Sequence, residues 1–160
     1  MDLDVVVGLG SNLGDRLALL RDAVLALEER FVVTARSAVY ETAPIGPPQP
    51  DYLNAAVRLR ANVDVLGVLE ALLEIERAAG RVRSAATRWG ARTLDLDVLW
   101  VSGVIVSTST LTVPHPRLSE RAFALRPLHD VAPEAIDPRT GLPFPEAPPE
   151  EAVRRTELRL

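Results

Sequence analysis

The chain has 160 residues, of which 48% are apolar and 25% are charged, and its formal net charge at pH 7 is -4. This length and composition suit a single globular domain, 1–160, that can bury a substantial core. The acidic balance argues against general nucleic-acid binding. No apolar run approaches the roughly 18–20 residues that a membrane span requires. Because there is no cysteine, disulfides, thiolate metal sites and cysteine nucleophiles are excluded.

All 18 basic residues are arginines, since the sequence contains no lysine. A P-loop lysine, a Schiff-base lysine and a kinase strand lysine are therefore impossible. Any phosphate must be bound by arginine, histidine, backbone amides or a metal ion. The N-terminus is acidic and lacks the basic start of a signal peptide, so we expect a cytoplasmic protein, and we expect it to be a monomer.

The first half of the chain alternates between strand and helix patterns. Hydrophobic periodicity and turn residues predict, in order, a strand over 5–9, a helix over 13–27, strands over 31–40 and 52–59, and a helix from a cap at Asp64 to Gly80. Four prolines fall between residues 43 and 50, which must form a stiff loop.

The second half begins with an arginine-rich loop, 81–92, and a strand, 93–101. Its later elements are predicted as a hairpin pairing 104–106 with 111–113, a rigid corner at 114–116, and a short helix capped by Ser119 and closed by Pro127. The last segment, 132–160, is rich in proline and acidic residues. It should pack on the domain or trail from it, with a turn at 137–141 and one small helix near 149–155.

The order strand, helix, strand, strand, helix, strand is a split βαβ pattern. It predicts an α+β fold with a mainly antiparallel sheet and helices packed on one face. In the strand 93–101, apolar side chains at Leu94, Leu96, Val98 and Trp100 should face the helices. Asp95 and Asp97 would then lie on the other face, which is free to form a site.

Asp95 and Asp97 are the most informative residues of the chain. On one face of a strand their Cα atoms are about 6.5–7 Å apart, from about 3.3 Å per residue. Like charges at that distance repel unless a cation lies between them, and Mg²⁺ suits such hard oxygen ligands. Because arginines occupy the neighbouring loop 81–92, we expect anionic groups on the far side of the metal. Carboxylates, a metal ion and guanidinium groups together indicate phosphate chemistry.

Three other interpretations remain open at this point. The aspartates can be solvent-facing acids of a half-exposed sheet, although strands disfavour aspartate. An Asp-x-Asp pair also binds metal in nucleotidyl- and glycosyltransferases. A sandwich with an arginine loop can bind RNA, but the acidic chain has no aromatic pair on adjacent strands of the kind that stacks RNA bases.

Six segments, in order and near-correctly spaced, resemble one enzyme family. They are Gly8-Leu9-Gly10-Ser11-Asn12-Leu13-Gly14-Asp15, Tyr40-Glu41-Thr42-Ala43-Pro44, Pro50-Asp51-Tyr52-Leu53-Asn54, Gly80-Arg81-Val82-Arg83, the run from Arg88 to Asp97, and Leu111-Thr112-Val113-Pro114-His115-Pro116-Arg117. From about residue 5 to residue 133 the chain resembles the 6-hydroxymethyl-7,8-dihydropterin pyrophosphokinases of folate biosynthesis.

The resemblance implies that ATP donates its β,γ-diphosphate to the hydroxymethyl group of the dihydropterin and that AMP leaves. It also implies a ferredoxin-like α-β-α sandwich, two Mg²⁺ ions, and mobile loops that close over these two small-molecule substrates. It leaves open which group takes the hydroxyl proton, for which Asp97 is our candidate. The segment 8–14 has neither the Walker nor the dinucleotide-binding pattern, so we interpret it as a tight strand-to-helix turn in which Asn12 braces the pterin loop.

The resemblance also implies the roles of individual side chains. Asp95 and Asp97 are the expected metal ligands and, together with Arg81 and Arg92, the expected catalytic residues. The residues expected to bind ATP are Glu76, Arg83, Arg88, Trp89, Thr112, His115 and Arg121. Those expected to bind the pterin are Thr42, Ala43, Ile45, Tyr52, Asn54 and Phe123, with Tyr52 and Phe123 stacking on the ring. For Glu76 the roles of orienting an arginine, contacting adenosine or lying at the surface all stay open.

Overall fold

The structure is a computed structural model that describes residues 2–44, 48–80, 94–148 and 153–160. Its strands are β1 (Leu3–Ser11), β2 (Val32–Arg36), β3 (Tyr40–Thr42), β4 (Tyr52–Ala61), β5 (Asp95–Val101), β6 (Val106–Ser107), β7 (Thr112–Val113), β8 (Ile136–Asp137), β9 (Leu142–Pro143) and β10 (Val153–Arg155). Its helices are α1 (Arg16–Glu28), α2 (Val65–Gly80) and α3 (Ala122–Val131), and a 3₁₀ turn spans Leu118–Glu120.

The main sheet is antiparallel throughout and follows the order β10-β3-β4-β1-β5, with β2 also paired to β4. The long strands β1 and β4 form its centre, and β5 is one edge. Two small hairpins, β6-β7 and β8-β9, lie outside this sheet, and each of their strands has two residues. The predicted α+β class with a mainly antiparallel sheet is confirmed, and so is the hairpin between 104–106 and 111–113.

Helices cover both faces of the sheet. Leu20 and Leu27 of α1 and Leu72 of α2 belong to one core cluster with alternate residues of β1 and β4. Leu125 and Leu128 of α3 belong to a second cluster on the opposite face. The prediction of helices on one face only is therefore wrong, whereas the α-β-α layering that the resemblance implied is confirmed. None of the helices in the described part of the chain is long and apolar enough to cross a membrane.

The predicted strand over 31–40 is two strands, β2 and β3, separated at 37–39. Both strands pair with β4, and Ser37 bridges them to it. The Ala56 backbone N–H donates to Ser37 Oγ at 2.7 Å, and the Ser37 N–H donates to the Ala56 carbonyl at 2.9 Å. The Ser37 hydroxyl oxygen thus takes the place of a backbone carbonyl as an acceptor in the sheet. Strand propensity alone does not predict such an interruption.

Helices α1 and α2 both begin at an aspartate cap, and the predicted cap at Asp64 is confirmed. Asp64 Oδ1 accepts from the Gly67 N–H at 2.8 Å at the start of α2. Ahead of α1, Gly14 adopts a left-handed φ of 74°, and Asp15 Oδ1 accepts from the Ala18 N–H at 3.1 Å. A left-handed residue followed by an aspartate cap begins the helix at Arg16.

The third helix differs from the prediction. The segment that Ser119 should cap is only a 3₁₀ turn, and α3 then runs through Pro127 to Val131. Proline lacks the N–H that would bond to the Phe123 carbonyl. The helix continues because Leu128 and Val131, beyond the proline, are buried against the sheet.

In β5 the predicted alternation breaks at its end. Val98 pairs with Val7 but Trp100 pairs with Val6, so the register shifts around Leu99. Such a bulge reverses which face later residues occupy. Trp100 therefore lies on the α3 side, where its Nε1–H donates to the Ile136 carbonyl at 2.8 Å. The prediction that Trp100 shares a face with Leu96 is wrong.

The C-terminal segment packs on the domain. The turn at 137–141 is confirmed as the β8-β9 hairpin, with Gly141 at a φ of 75°. The predicted small helix near 149–155 is wrong over 153–155, where the chain forms β10 beside β3. Backbone pairing to an exposed sheet edge overrides the weak local helix signal there. Residues 149–152 lie outside the described residues.

Helix α1 offers a matched test of the core. Leu27 is fully buried, whereas Leu25 on the same helix is 58% exposed. We expect Leu27→Ala to lower the free energy of unfolding by about 2–5 kcal/mol, because it leaves a cavity in the core. Leu25→Ala should change it by less than about 0.5 kcal/mol. Urea unfolding measures both, and equal losses would contradict the assigned orientation of α1.

Candidate active site

A pocket of about 350 Å³ opens beside the ends of the central strands and the start of α3. Its walls come from chain segments that are far apart in sequence. The lining residues are Gly8, Leu9, Gly10, Thr42, Ala43, Pro44, Tyr52, Asn54, Ala55, Asp95, Asp97, Leu99, Arg117, Glu120, Arg121, Phe123, Ala124 and Val153. The predicted metal ligands and most of the predicted pterin residues therefore share one cavity.

Two glycines of β1 form the floor of this pocket. Gly10 pairs with Asn54 on one side and with Asp95 on the other, and Gly8 pairs with Asp97. A Cβ on Gly10 would lie 3.0 Å from Asn54 Oδ1. Residues paired directly across strands point to the same face, so the missing side chains leave room between the asparagine and the aspartates.

The interpretation of 8–14 as one tight turn is thus wrong in part. Gly8 and Gly10 are strand residues, and only Gly14 has the left-handed backbone of a turn. The bracing role of Asn12 is confirmed for the proline loop, because its Nδ2 donates to Gln49 Oε1 at 2.8 Å and to the Pro50 carbonyl at 3.1 Å.

One wall combines aromatic faces with amide and hydroxyl groups. Tyr52 and Asn54 lie on the same face of β4, as strand alternation predicted, and Phe123 lies on α3. Asn54 Nδ2 donates to Thr42 Oγ1 at 2.7 Å across β3 and β4, which fixes the orientation of the amide. Such a wall suits a flat heterocycle that needs stacking surfaces and edge hydrogen bonds.

The opposite wall is acidic. Asp95 and Asp97 line the pocket from the edge strand β5. Glu76, near the end of α2, accepts a hydrogen bond from the Leu96 N–H at 2.8 Å and so reaches the same strand. Burial, and then the charges of Asp95 and Asp97, raise the pKa of Glu76 to about 7. Three carboxyl groups therefore gather at this edge, which excludes a purely surface role for Glu76.

His115 follows the cis Val113–Pro114 bond, and its backbone N–H donates to the Leu99 carbonyl at 2.9 Å. Burial, and then the charge of Arg121, lower the pKa of its half-buried imidazole, so the ring is neutral at pH 7. Its Nδ1 accepts from the Arg117 N–H at 3.3 Å, which leaves the proton on Nε2. His115 can therefore donate a hydrogen bond to an anionic group.

Arginine flanks the aromatic wall. The Arg121 guanidinium lies 5.5 Å from the centre of the Phe123 ring, a cation–π distance. Arg117 and Glu120 also line the pocket and form an ion pair at 3.3 Å. Arg117 ends the segment 111–117 that resembles the family but was assigned no role there, and no motif marks Glu120 or Val153.

Other predicted residues lie away from the cavity or beyond the described ranges. Thr112 is exposed on β7 and does not line the pocket. The predictions for Ile45, Arg81, Arg83, Arg88, Trp89 and Arg92 fall outside the described residues.

The raised pKa of Glu76 gives a test of the acidic wall. Between about pH 4.5 and 7 the folded protein holds a proton on Glu76 that the unfolded chain has lost. The free energy of unfolding of the metal-free protein therefore receives the full contribution of Glu76 below pH 4.5 and loses it as the pH rises through 7. After discounting for solvent screening, we expect a loss of about 1 kcal/mol across this window.

Glu76→Gln should remove this component, so its unfolding midpoint in urea should vary less with pH than that of the wild type. Glu70→Gln, on an exposed position of the same helix, controls for the loss of one charge. An unchanged pH slope in Glu76→Gln would contradict the crowding of the three carboxyl groups.

Comparison with known proteins identifies the family. The profile of the family described as 7,8-dihydro-6-hydroxymethylpterin-pyrophosphokinase (HPPK) matches residues 6–133. The 2-amino-4-hydroxy-6-hydroxymethyldihydropteridine pyrophosphokinase of Synechocystis sp. is 43% identical over 138 residues, which cover 85% of this chain and 70% of that protein. The enzyme of the same name from Methylorubrum extorquens is 47% identical over 133 residues, covering 81% of this chain and 83% of that one.

Solved structures agree on the fold. A crystal structure of Plasmodium falciparum HPPK-DHPS superposes with a TM-score of 0.64 at 15% identity, covering 89% of this chain. Another HPPK-DHPS structure, in complex with substrates, gives a TM-score of 0.66 at 17% identity. The chain spans 42% of the length of each of these solved proteins. With the sequence match over residues 6–133, these results show that the chain belongs to the 7,8-dihydro-6-hydroxymethylpterin-pyrophosphokinase family.

Proposed function

We propose that this chain transfers the β,γ-diphosphate of ATP to the hydroxymethyl group of 6-hydroxymethyl-7,8-dihydropterin, a step of folate biosynthesis. The observation that carries the proposal is the single pocket in which Asp95 and Asp97 face Tyr52, Asn54 and Phe123. If the chain were a nucleotidyl- or glycosyltransferase, the aspartates would have a role, but the wall of Tyr52, Asn54 and Phe123 would have none. Membership of the family supports the same reaction.

The reaction forms one bond and breaks one. The hydroxymethyl oxygen attacks the β-phosphorus of ATP, and the bond from that phosphorus to the oxygen bridging the α- and β-phosphates breaks. AMP leaves with the bridging oxygen, and the hydroxyl proton passes to a base. Phosphoryl transfer of this type depends on positioning and charge neutralisation more than on covalent help from the protein.

The residues present fit a Mg²⁺ site. The described ranges contain no cluster of three or more His, Cys, Asp or Glu side chains that could hold a metal ion by itself. Mg²⁺ bound by one or two carboxylates and completed by substrate phosphates needs no such cluster, and Asp95 with Asp97 supplies that pair. Bound there, Mg²⁺ would neutralise charge on the transferred group. We propose two ions, as the resemblance implies.

The pterin side of the pocket is assigned to four side chains. Tyr52 and Phe123 stack against the ring, and Asn54 bonds its edge with an amide whose orientation is fixed by Thr42. The backbone of Ala43 and Ile45 adds further hydrogen-bonding groups. Asn54 lies across Gly10 from Asp95, so a ring on this wall would lie next to the acidic wall.

The ATP side is assigned to cationic and donor groups. His115 offers its Nε2–H to a phosphate, and Arg121 brings a positive charge to the pocket beside Phe123. We propose that Glu76 and Thr112 contact the nucleoside end of ATP. The remaining contacts to ATP are proposed for Arg81, Arg83, Arg88, Trp89 and Arg92.

The direct test is incubation of the chain with ATP, Mg²⁺ and 6-hydroxymethyl-7,8-dihydropterin. We expect AMP and the dihydropterin diphosphate in equal amounts, with no AMP when the dihydropterin is omitted. Release of ADP, or AMP formation that does not depend on the dihydropterin, would contradict the proposal.

Asp97→Asn tests the metal assignment with little change in shape. Because the amide removes one negative charge from the proposed ligand pair, we expect kcat to fall about a hundredfold or more. The thermal midpoint should stay within a few degrees of the wild type. Asp22→Asn, at an exposed position of α1, is the matched control and should keep full activity. A fully active Asp97→Asn enzyme would remove Asp97 from the metal site.

Phe123→Ala tests the pterin wall. Loss of the stacking surface should raise the KM for the dihydropterin about tenfold and leave the KM for ATP within about twofold. Phe144→Ala is the control, because Phe144 is buried at 5% exposure but does not line the pocket. It should lower stability without changing either KM. Parallel rises of both KM values in Phe123→Ala would show general damage to the site instead.

A further inference from the structure

One arginine joins the two ends of the proline loop. The Nη1 group of Arg16 donates to Glu41 Oε2 at 2.8 Å and to the Asp51 backbone carbonyl at 2.9 Å. Glu41 lies before the loop 43–50 and Asp51 directly after it. The guanidinium therefore spans the base of the loop from outside the pocket.

The turn and the cap that begin helix α1 determine the position of Arg16. Gly14 makes the left-handed turn, Asp15 caps the helix, and Arg16 is the first helical residue of α1. Its side chain is 30% exposed and that of Glu41 only 18% exposed, so both are partly shielded from water. Arg154 of β10 binds the other carboxylate oxygen of Glu41, which holds the carboxylate from a second side.

The residues next to these anchor points line the pocket. Glu41 precedes Thr42, and Asp51 precedes Tyr52, and Thr42 pairs with Tyr52 across β3 and β4. We propose that Arg16, acting through Glu41, is a positioning residue that holds Thr42 and Tyr52 in place for the dihydropterin. This inference rests on the proposed function, because it takes that wall as the pterin subsite.

The expected effect is on binding more than on folding. Ion pairs that remain accessible to water, as Arg16–Glu41 does in part, contribute little to stability. The bond to the Asp51 backbone carbonyl acts differently, because it restricts the positions of the strand ends that carry Thr42 and Tyr52 before the ligand arrives. If the competent arrangement of these two residues is less populated, the apparent affinity falls in proportion to that fraction.

The test compares Arg16→Met and Glu41→Gln with the wild type. Methionine keeps the length and helix propensity of the arginine stem but removes every donor. In Arg16→Met we expect the KM for 6-hydroxymethyl-7,8-dihydropterin, measured by AMP release from ATP, to rise about 5–20-fold. The calorimetric Kd for the same compound, measured with Mg²⁺ and a non-hydrolysable ATP analogue, should rise by the same factor. The KM for ATP should stay within about twofold. Glu41→Gln should show a smaller rise of the same kind, since the amide oxygen still accepts a hydrogen bond.

Arg30→Met is the matched control. It removes another arginine–glutamate pair, Arg30 to Glu74 at 2.7 Å, which joins the end of α1 to α2 and does not involve the pocket. Both KM values should remain at the wild-type level in this variant. A pterin Kd unchanged in Arg16→Met, or raised equally in Arg30→Met, would overturn the positioning role.

The two proposals fail in different ways. If the wild type releases no AMP with the dihydropterin, the proposed function fails, whatever the variants do. If the wild type is active and Arg16→Met lowers the thermal midpoint without changing the pterin KM, only the positioning role fails, and Arg16 is a structural residue.

Discussion

The site depends on a steric constraint at the centre of the sheet. Gly8 and Gly10 occupy adjacent positions on one face of β1, between β4, where Asn54 lies opposite Gly10, and the aspartates of β5. A Cβ on Gly8 would lie 3.1 Å from Leu99, and one on Gly10 would lie 3.0 Å from Asn54 Oδ1. Such approaches are closer than ordinary carbon contacts, so side chains here would fill the space that separates the two walls.

Charge is distributed unequally across that space. On one side, burial and then the charges of Asp95 and Asp97 raise the pKa of Glu76 to about 7. On the other side Arg121 lies over the Phe123 ring, and burial followed by the charge of Arg121 lowers the pKa of His115. A polyphosphate with its cations is complementary to this pattern. The metal charge would reduce the repulsion among the carboxylates, while the neutral His115 ring and the charged Arg121 side chain remain as hydrogen-bond donors.

Sequence reasoning predicted the parts that local chemistry determines. The Asp95 and Asp97 pair, the cap at Asp64, and the shared face of Tyr52 and Asn54 follow from periodicity and side-chain chemistry. The bulge at Leu99, the helix continuing through Pro127 and the C-terminal strand do not, because tertiary packing decides each of them. The floor of the pocket was also missed, since a glycine in a strand reveals its purpose only when its cross-strand neighbours are known.

The C-terminal strand shows that the site extends beyond the residues that identify the family. The family profile ends at residue 133, yet Val153 of β10 lines the pocket and Arg126 Nη1 donates to its carbonyl at 3.1 Å. Arg154, its neighbour, contacts Glu41 behind the proline loop. The groups assigned to chemistry all lie within the matched region, whereas part of the pocket wall comes from outside it. The end of the family match is therefore not the end of the functional unit in this chain.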